Sequence, residues 1–262
     1  MNLVLFALWL LSLTQEEKVL LKFQPKVGDK MIRVEKMSTT INATVTQGKE
    51  TQDLVMEEHG SEKKTIEIVE LADGKPIKVL FDVEEDIEER KGPGAKKFMR
   101  HEKPLHGKKL TLSLKDGKKV VEGVDGLDEK TIKDLDLYDK FSHLFPKNPI
   151  AIGESWEVQG KDLQEALDDE EAGGKVVLKL VKVEEINGLR CALLDAAFDV
   201  TGKTDDGLDL GMKVNGQMVI WLDRGYTLKI QLKGSISLAA ETVEMTLKGE
   251  GPMEVDVTAT IP

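Results

Sequence analysis

Apolar and polar residues alternate one by one through the last third of the chain. From Tyr226 to Leu232 every second residue is apolar, and the pattern returns over residues 243–248 and 255–261. Because successive side chains of a strand point to opposite faces of a sheet, each stretch has one apolar and one polar face. Strands of a parallel sheet are buried on both faces and lack this alternation. The pattern therefore predicts a mainly β fold of half-buried antiparallel strands.

Short turn sequences separate the stretches that read as strands. They are Asp73-Gly74, Asp116-Gly117, Asn187-Gly188 and the looser Asp223-Arg224-Gly225. Asp-Gly and Asn-Gly supply the positive φ values that a two-residue hairpin turn needs. These turns predict hairpins at residues 65–83, 109–121, 176–194 and 213–233.

Two segments depart from the β pattern. From Asp128 to Phe145 apolar residues recur every three to four positions, Asp128 caps the start and Pro146 ends the run, which predicts one amphipathic helix. A shorter helix is predicted over residues 162–169. The charged segment 84–109 predicts an exposed loop.

The N-terminus has the composition of an export signal. Residues 3–13 are apolar except for Ser12, and polar residues follow from Thr14. A helix of this length is too short for a hydrocarbon core of about 30 Å, so we expect a cleavable signal peptide, with a buried N-terminal strand or helix as the alternative. With Cys191 as the single cysteine, no intramolecular disulfide can form, which favours a bacterial envelope protein, periplasmic or extracellular.

An internal echo suggests two related halves. The segments Pro25–Met31 and Pro149–Trp156 both contain a proline, an apolar residue before a glycine, and an acidic residue after it. The sequence leaves open whether the halves form one curved sheet or two domains. The predicted organisation is a signal peptide (1–14), an N-terminal β half (15–126), a helical connector (127–148) and a C-terminal β half (149–262).

Taken together, these features resemble a family of secreted bacterial β-rich domains of unknown function. The resemblance is carried by the N-terminal apolar run, the opening Pro25-Lys26-Val27-Gly28-Asp29, the central Gly153-Glu154-Ser155-Trp156 and the late Asp223-Arg224-Gly225 turn. A looser likeness is to half-barrel carriers of the bacterial envelope, which curl an antiparallel sheet around helices to hold acyl chains. The resemblance implies a curved half-barrel or barrel-like sheet and brings no catalytic residues.

Several functional classes are disfavoured by the residues. The net charge of −11, with scattered basic residues, disfavours nucleic acid as a partner. Ser155 is followed by Trp156 and Glu157, which does not form a nucleophile elbow. His101, His106 and His143 match no zinc-ligand spacing, so we expect no enzyme activity, no metal and no cofactor.

Two functions remain at this level. The first is an exported, non-enzymatic binding or structural module for a protein partner. The alternative is a carrier or chaperone for an apolar ligand, such as a lipid or a lipoprotein acyl chain, in a cavity beneath the helix at 128–145. Methionines adapt to varied ligands and are expected to line such a cavity, namely Met212, Met218, Met245 and Met253. The competing expectation is an ordinary filled core.

The ligand-contacting residues are not identified by any motif. The candidates are Trp156, Trp221, Met218 and Phe141. Trp156 is expected to be a core anchor more than a platform for a ligand. Trp221 lies on the polar-alternate face of its strand with Val219, where it either lines a groove or packs under the helix.

Overall fold

The computed structural model describes residues 18–204, 207–242 and 245–262. These residues form a curved antiparallel sheet of 12 strands that does not close on itself, together with a separate two-stranded pair. This confirms the prediction of a mainly β, half-barrel fold. The predicted signal peptide at 1–14 lies outside the described residues. Within the described ranges, no helix is long and apolar enough to cross a membrane.

The strands are short near the sheet edges and long in its centre. Two α-helices, α1 (Glu129–Asp134) and α2 (Lys161–Leu167), and a 310 helix (Lys140–Leu144) complete the elements of the described residues. The strands are β1 (Lys18–Val19), β2 (Lys30–Gln47), β3 (Glu50–Ala72), β4 (Lys75–Lys91), β5 (Met99–Glu102), β6 (Lys108–Lys115), β7 (Lys118–Glu122), β8 (Ile150–Ala151), β9 (Ser155–Gln159), β10 (Gly173–Ile186), β11 (Leu189–Lys203), β12 (Asp209–Trp221), β13 (Tyr226–Glu241) and β14 (Met245–Thr260).

The sheet consists of two meanders joined at one seam. Its strand order is β7-β6-β4-β3-β2-β14-β13-β12-β11-β10-β9, with β5 paired to β4, and β1 pairs with β8 outside it. Apart from the β2–β14 pair, the neighbours along this order are close in sequence, so most connections are short turns. Pairing of β2 with β14 unites the meanders into one continuous sheet whose edges are β7 and β9.

The predicted hairpin turns are confirmed. In the Asp73-Gly74 turn φ is 50° and 76°, in the Asp116-Gly117 turn 50° and 75°, and in the Asn187-Gly188 turn 53° and 78°. Positive φ at both central residues is the geometry that matches the twist of the flanking strands. The turn at 222–225 joins β12 to β13.

The single helix predicted from Asp128 to Phe145 is wrong. Asp128 does cap α1, accepting a hydrogen bond from the Thr131 N–H at 2.7 Å, but the chain becomes extended at Leu135. The 310 helix then starts with its own cap, Asp139. The Asp139 carboxylate accepts hydrogen bonds both from the Phe141 N–H and from the Thr227 N–H of β13, so attachment to the sheet interrupts the helix.

The loop predicted at 84–109 is also wrong, because β4 continues to Lys91 and β5 occupies Met99–Glu102. The charged residues of this segment find partners across the strands: Lys91 Nζ lies 2.6 Å from Glu57 Oε1. Opposite charges on facing strands stabilise a sheet, so high charge did not indicate a loop here. The short helix predicted at 162–169 is confirmed by α2.

The internal echo has a structural counterpart. Gly28 and Gly153 lie in turns with φ of 86° and 91°. The acids that follow them, Asp29 and Glu154, accept side-chain hydrogen bonds at 2.8 Å from the N–H groups of Lys26 and Ala151, respectively.

Both turns dock on the next strand in the same way. The Gly28 N–H donates to the Ile68 carbonyl (2.8 Å), and the Gly153 N–H donates to the Leu180 carbonyl (2.7 Å). Ile68 and Leu180 each lie beside a register shift in their pairing with the following strand. The same sequence pattern therefore starts both meanders with the same hydrogen bonds.

The two ends of the connector pack on different apolar clusters. Leu135 and Leu137 join Phe81 and other residues of the N-terminal meander, whereas Leu144 packs among buried residues of the C-terminal meander, including Leu194. Between these anchors the connector crosses one face of the sheet, which we call the inner face. A third cluster contains Cys191, which is fully buried, as its apolar context predicts.

Close approach of neighbouring strands requires glycine at two central positions. A Cβ atom at Gly234 of β13 would lie 2.0 Å from the Lys213 carbonyl oxygen, and one at Gly251 of β14 would lie 1.6 Å from the Thr40 carbonyl oxygen. No side chain fits at such distances. These glycines allow long strands to bend at the centre of the sheet.

Candidate functional site

A cavity of about 560 Å3 lies between the connector and the inner face of β2, β3 and β4. Residues of β2 and β3 form its floor, and residues 131–141 of the connector form its roof. The volume falls within the range of small-molecule sites. We call this space the connector cavity.

The floor consists of cross-strand pairs that change in character along the strands. The registered pairs on β2 and β3 are, in order, Met31 with Ile66, Arg33 with Lys64, Glu35 with Glu62, and Met37 with Gly60. A positive pair and a negative pair therefore lie side by side between apolar pairs. We call Arg33, Lys64, Glu35 and Glu62 the charged quartet.

The charged quartet is held mainly by contacts along each strand. Arg33 Nε lies 2.7 Å from Glu35 Oε1, and Lys64 Nζ lies 2.6 Å from Glu62 Oε2 and 3.8 Å from Glu35 Oε1. The side chains of Arg33 and Lys64 are only 13% and 20% exposed. Glu62 is 22% exposed and Glu35 34%. Charges with this little access to water are costly unless each has a partner, most of all those of Arg33 and Lys64.

Burial raises the pKa of two carboxyl groups in the floor. For Glu62 the effect of burial exceeds the opposing attraction of Lys64. For Asp86 of β4, burial outweighs the attraction of Lys103, whose Nζ lies 4.0 Å away, and of Lys64 and His106. The floor of the cavity is thus a poorly hydrated environment in which charge interactions are strong.

The roof of the cavity is also polar. Lys140 Nζ lies 2.7 Å from Asp136 Oδ1 and 2.8 Å from Asp168 Oδ2. Asp139 is buried, and its two oxygens accept from the N–H groups of Phe141 (3.1 Å) and Thr227 (2.9 Å). All three acids are therefore engaged within the protein.

Aromatic rings close one end of the cavity. Phe23 packs against Tyr226 with ring centres 5.4 Å apart in an edge-on arrangement, and against Tyr138 at 6.2 Å. The Tyr226 hydroxyl donates a hydrogen bond to Asp29 Oδ2 at 3.2 Å, and burial raises the pKa of Tyr226. With Ile66, Ile68 and Phe81, these rings give the cavity an apolar wall beside its charged floor.

Of the four ligand-contacting candidates, Phe141 lines the connector cavity. Trp156 packs beside the C-terminal cluster and donates its indole N–H to the Leu144 carbonyl at 2.7 Å, which is an anchoring contact. Met218 is 1% exposed in that cluster. Trp221 packs beside the third cluster, with the Arg224 guanidinium 5.2 Å above its ring.

The methionines expected to line a cavity lie elsewhere. Met218 and Met253 are core residues, Met212 packs against the same core, and Met245 is exposed. Instead, Met31 and Met37 border the cavity.

Sequence reasoning missed the charged quartet. The signal was available, because Arg33 and Glu35 lie at the alternate positions that β2 shares with Met31 and Met37. Charged residues on the apolar face of a strand are unusual and indicate a polar site within the fold.

The histidines are engaged separately. His106 Nδ1 accepts a hydrogen bond from the Asp86 N–H at 3.2 Å, and His143 Nδ1 lies 3.0 Å from Glu165 Oε2. Among the described residues, no group of three or more His, Cys, Asp or Glu side chains is arranged to hold a metal ion.

A second groove, of about 710 Å3, crosses the middle of β12, β13, β14, β2 and β3. Polar side chains along it pair with one another: Gln231 donates to Asp256 Oδ2 at 2.8 Å, and Lys233 Nζ lies 3.0 Å from Glu254 Oε1. Such cross-strand pairs are typical of a solvated sheet face. The connector cavity is therefore the better candidate site.

No protein-family model and no curated protein sequence matches the chain. Similar solved structures include lipovitellin, in a study of lipid–protein interactions, at 9% identity and a TM-score of 0.47 over 90% of this chain. The chain spans only 26% of the lipovitellin chain.

Two further structures are similar over most of both chains. A DUF1329 family protein from Desulfovibrio piger has 7% identity and a TM-score of 0.15, with 86% of this chain and 83% of that chain covered. DynF, from the dynemicin biosynthesis pathway of Micromonospora chersina, has 8% identity and a TM-score of 0.21, with 94% and 86% covered. At TM-scores this low, the likenesses carry no functional argument.

Proposed function

We propose that this protein is an exported, non-enzymatic binding protein that holds a single-chain amphiphile in the connector cavity. The observation that carries the proposal is a cavity of about 560 Å3 roofed by the connector, with apolar and charged surfaces side by side.

The lining matches the two parts of an amphiphile. The aromatic and aliphatic wall offers an environment for an alkyl chain, and the charged quartet offers one for a polar head group. Ligand sites commonly combine an apolar lining with a few placed polar groups. The export of the protein is part of the proposal and rests on the N-terminal apolar run at residues 3–13.

Gly60 provides a way to block the cavity. It lies at the end of the cavity floor that the second groove shares, and a Cβ atom there would meet only the Met37 side chain, at 3.9 and 4.0 Å, which are ordinary contacts. Gly60→Leu should therefore fold and project its side chain into the cavity. Gly92→Leu is the matched control, because a Cβ at Gly92 meets nothing within 4 Å and lies outside the cavity lining.

The test is isothermal titration of the full chain with four dodecyl compounds: dodecanol, dodecanoate, dodecyl phosphate and dodecyltrimethylammonium. We expect at least one to bind with a stoichiometry near one. Its affinity should fall at least about tenfold in Gly60→Leu, equivalent to about 1.4 kcal/mol, and stay unchanged in Gly92→Leu. It should also stay unchanged in Asn215→Leu, which enlarges a side chain that lines only the second groove. The proposal is wrong if none of the four binds, or if Gly60→Leu binds as well as the wild type.

A further inference from the structure

The charged quartet occupies a position that the fold itself does not require to be charged. The two equivalent turns align Asp29 with Glu154, and their partners on the next strand align Ile68 with Leu180. Four residues after each acid, Arg33 therefore corresponds to Val158. Four residues before each partner, Lys64 corresponds to Val176. The registers agree, since Arg33 pairs with Lys64 and Val158 pairs with Val176.

The valine pair shows what the same position looks like as ordinary core. Val158 is 7% exposed and Val176 is fully buried within the C-terminal apolar cluster. In the N-terminal meander two positive charges face each other instead, an arrangement that destabilises a sheet pair. A destabilising pair beside a cavity indicates a role in binding.

The unused hydrogen-bonding capacity of Arg33 indicates which kind of ligand group would fit the site. Arg33 carries five N–H donors, and among the described residues its buried Nε has no hydrogen-bond acceptor. Its buried Nε approaches Glu35 Oε1 at 2.7 Å but is not aligned to donate to it. Arg33 thus lies in the cavity floor with an unused donor at Nε.

The carboxylates around Arg33 are already engaged. Glu35 is shared between Arg33 (2.7 Å) and Lys64 (3.8 Å), and Glu62 contacts Lys64. Asp136 contacts Lys140, and Asp139 accepts two backbone hydrogen bonds. The unmet capacity of the site is therefore for an acceptor, although acids outnumber bases in the lining. Planar two-point binding of carboxylate or phosphate oxygens is the interaction for which a guanidinium is best shaped.

We propose, on the basis of the function proposed above, that the ligand carries an anionic oxygen head group, a carboxylate or a phosphate, which binds the Arg33 guanidinium. Lys64 directly opposite adds a second positive charge. The alkyl chain extends from this pair over Met31, Ile66 and the aromatic wall, because that apolar row borders the positive row of the quartet.

The experiment uses the same four dodecyl compounds with head-group variants of the full chain. We expect dodecanoate or dodecyl phosphate to bind at least about tenfold more tightly than dodecanol, and dodecyltrimethylammonium to bind most weakly. Tighter binding of dodecyl phosphate assigns a phosphorylated lipid head, and tighter binding of dodecanoate assigns a fatty acid.

Arg33→Met should lower the affinity for the anionic compound roughly 10- to 100-fold and leave dodecanol binding unchanged. Arg33→Lys keeps the charge beside Glu35 but removes the planar fork, so we expect a smaller loss. Arg90→Met is the control, because Arg90 is 59% exposed on β4. Urea titration of each variant establishes that it is folded.

Two results would contradict the assignment of an anionic head group but leave the proposed binding function unaffected. One is equal affinity for dodecanol and the anionic compounds, and the other is an unchanged anion affinity in both Arg33 variants. In either case the loss of binding in Gly60→Leu still supports the cavity as the site. If no dodecyl compound binds, the proposed function itself has failed.

Discussion

Asp139 attaches the connector to the sheet through a buried carboxylate. One carboxylate oxygen accepts from the Phe141 N–H at 3.1 Å and caps the 310 helix, and the other accepts from the Thr227 N–H at 2.9 Å. Asp139 is 7% exposed and Thr227 is 1% exposed. Asp139→Ala therefore removes a helix cap and leaves a buried N–H group without an acceptor.

The magnitude follows from the two contacts. Loss of a helix cap costs about 1 kcal/mol, and a buried, unsatisfied N–H costs about 1–3 kcal/mol. We expect Asp139→Ala to lower the free energy of unfolding by about 2–4 kcal/mol. Asp139→Asn should lose about half as much, because its amide has one acceptor oxygen for two donors.

Urea unfolding followed by tryptophan fluorescence measures these differences. Asp128→Ala is the matched control, because Asp128 also caps a helix, through the Thr131 N–H, but is exposed. It should cost about 1 kcal/mol or less. If Asp139→Ala were no more destabilising than Asp128→Ala, the bond to Thr227 would not anchor the connector, and our account of the cavity roof would be refuted.

Two further predictions concern the sheet and its charged floor. Gly234→Ala should lower the free energy of unfolding by about 3 kcal/mol or more, because its Cβ would lie 2.0 Å from the Lys213 carbonyl oxygen and the strands must separate. Gly92→Ala is the control. Equal stability of the two variants in urea would contradict the argument from close approach of the strands. Burial raises the pKa of Glu62 above its ordinary 4.5, so protonation of Glu62 favours the folded state. The stabilisation from this protonation is complete below the unfolded-state pKa and is lost as pH rises through the folded-state pKa. The free energy of unfolding of Glu62→Gln should therefore rise relative to that of the wild type between pH 4 and pH 7, and a difference that falls or stays constant would show that Lys64 outweighs burial.

Local signals in the sequence predicted most of the fold. Alternation and Asp-Gly or Asn-Gly turns are properties of a few neighbouring residues, so strands and hairpins could be predicted without knowledge of tertiary contacts. The helix at 128–145 failed for the opposite reason. Its interruption depends on the contact of Asp139 with Thr227, which is 88 residues away in the chain.

The site was harder to predict than the fold. Trp156 and Met218 are large apolar residues of the type that binds ligands, but their positions in the sheet place them in the filled C-terminal core. Recognition of the charged quartet requires knowing that β2 and β3 pair in the register that sets Arg33 against Lys64. Such pairing between long strands is not encoded by any short motif.

The internal repeat explains why the cavity lies in one half of the molecule. Both meanders start with the same turn. The connector lies over β2 and β3 of the first meander, and α2 packs on β9 and β10 of the second. In the C-terminal half the floor is apolar at Val158 and Val176, and Leu163 of α2 packs on it at 0% exposure.

In the N-terminal half Arg33 and Lys64 occupy the matching floor. Charged side chains cannot be covered by an apolar roof without losing their hydration, so the connector above them is polar and leaves a space. The same element of structure thus yields a filled core where the floor is apolar and a cavity where it is charged. In this chain, apolar residues in one copy of the repeat and charged residues in the other accompany a filled core and a cavity, respectively, without a change of fold.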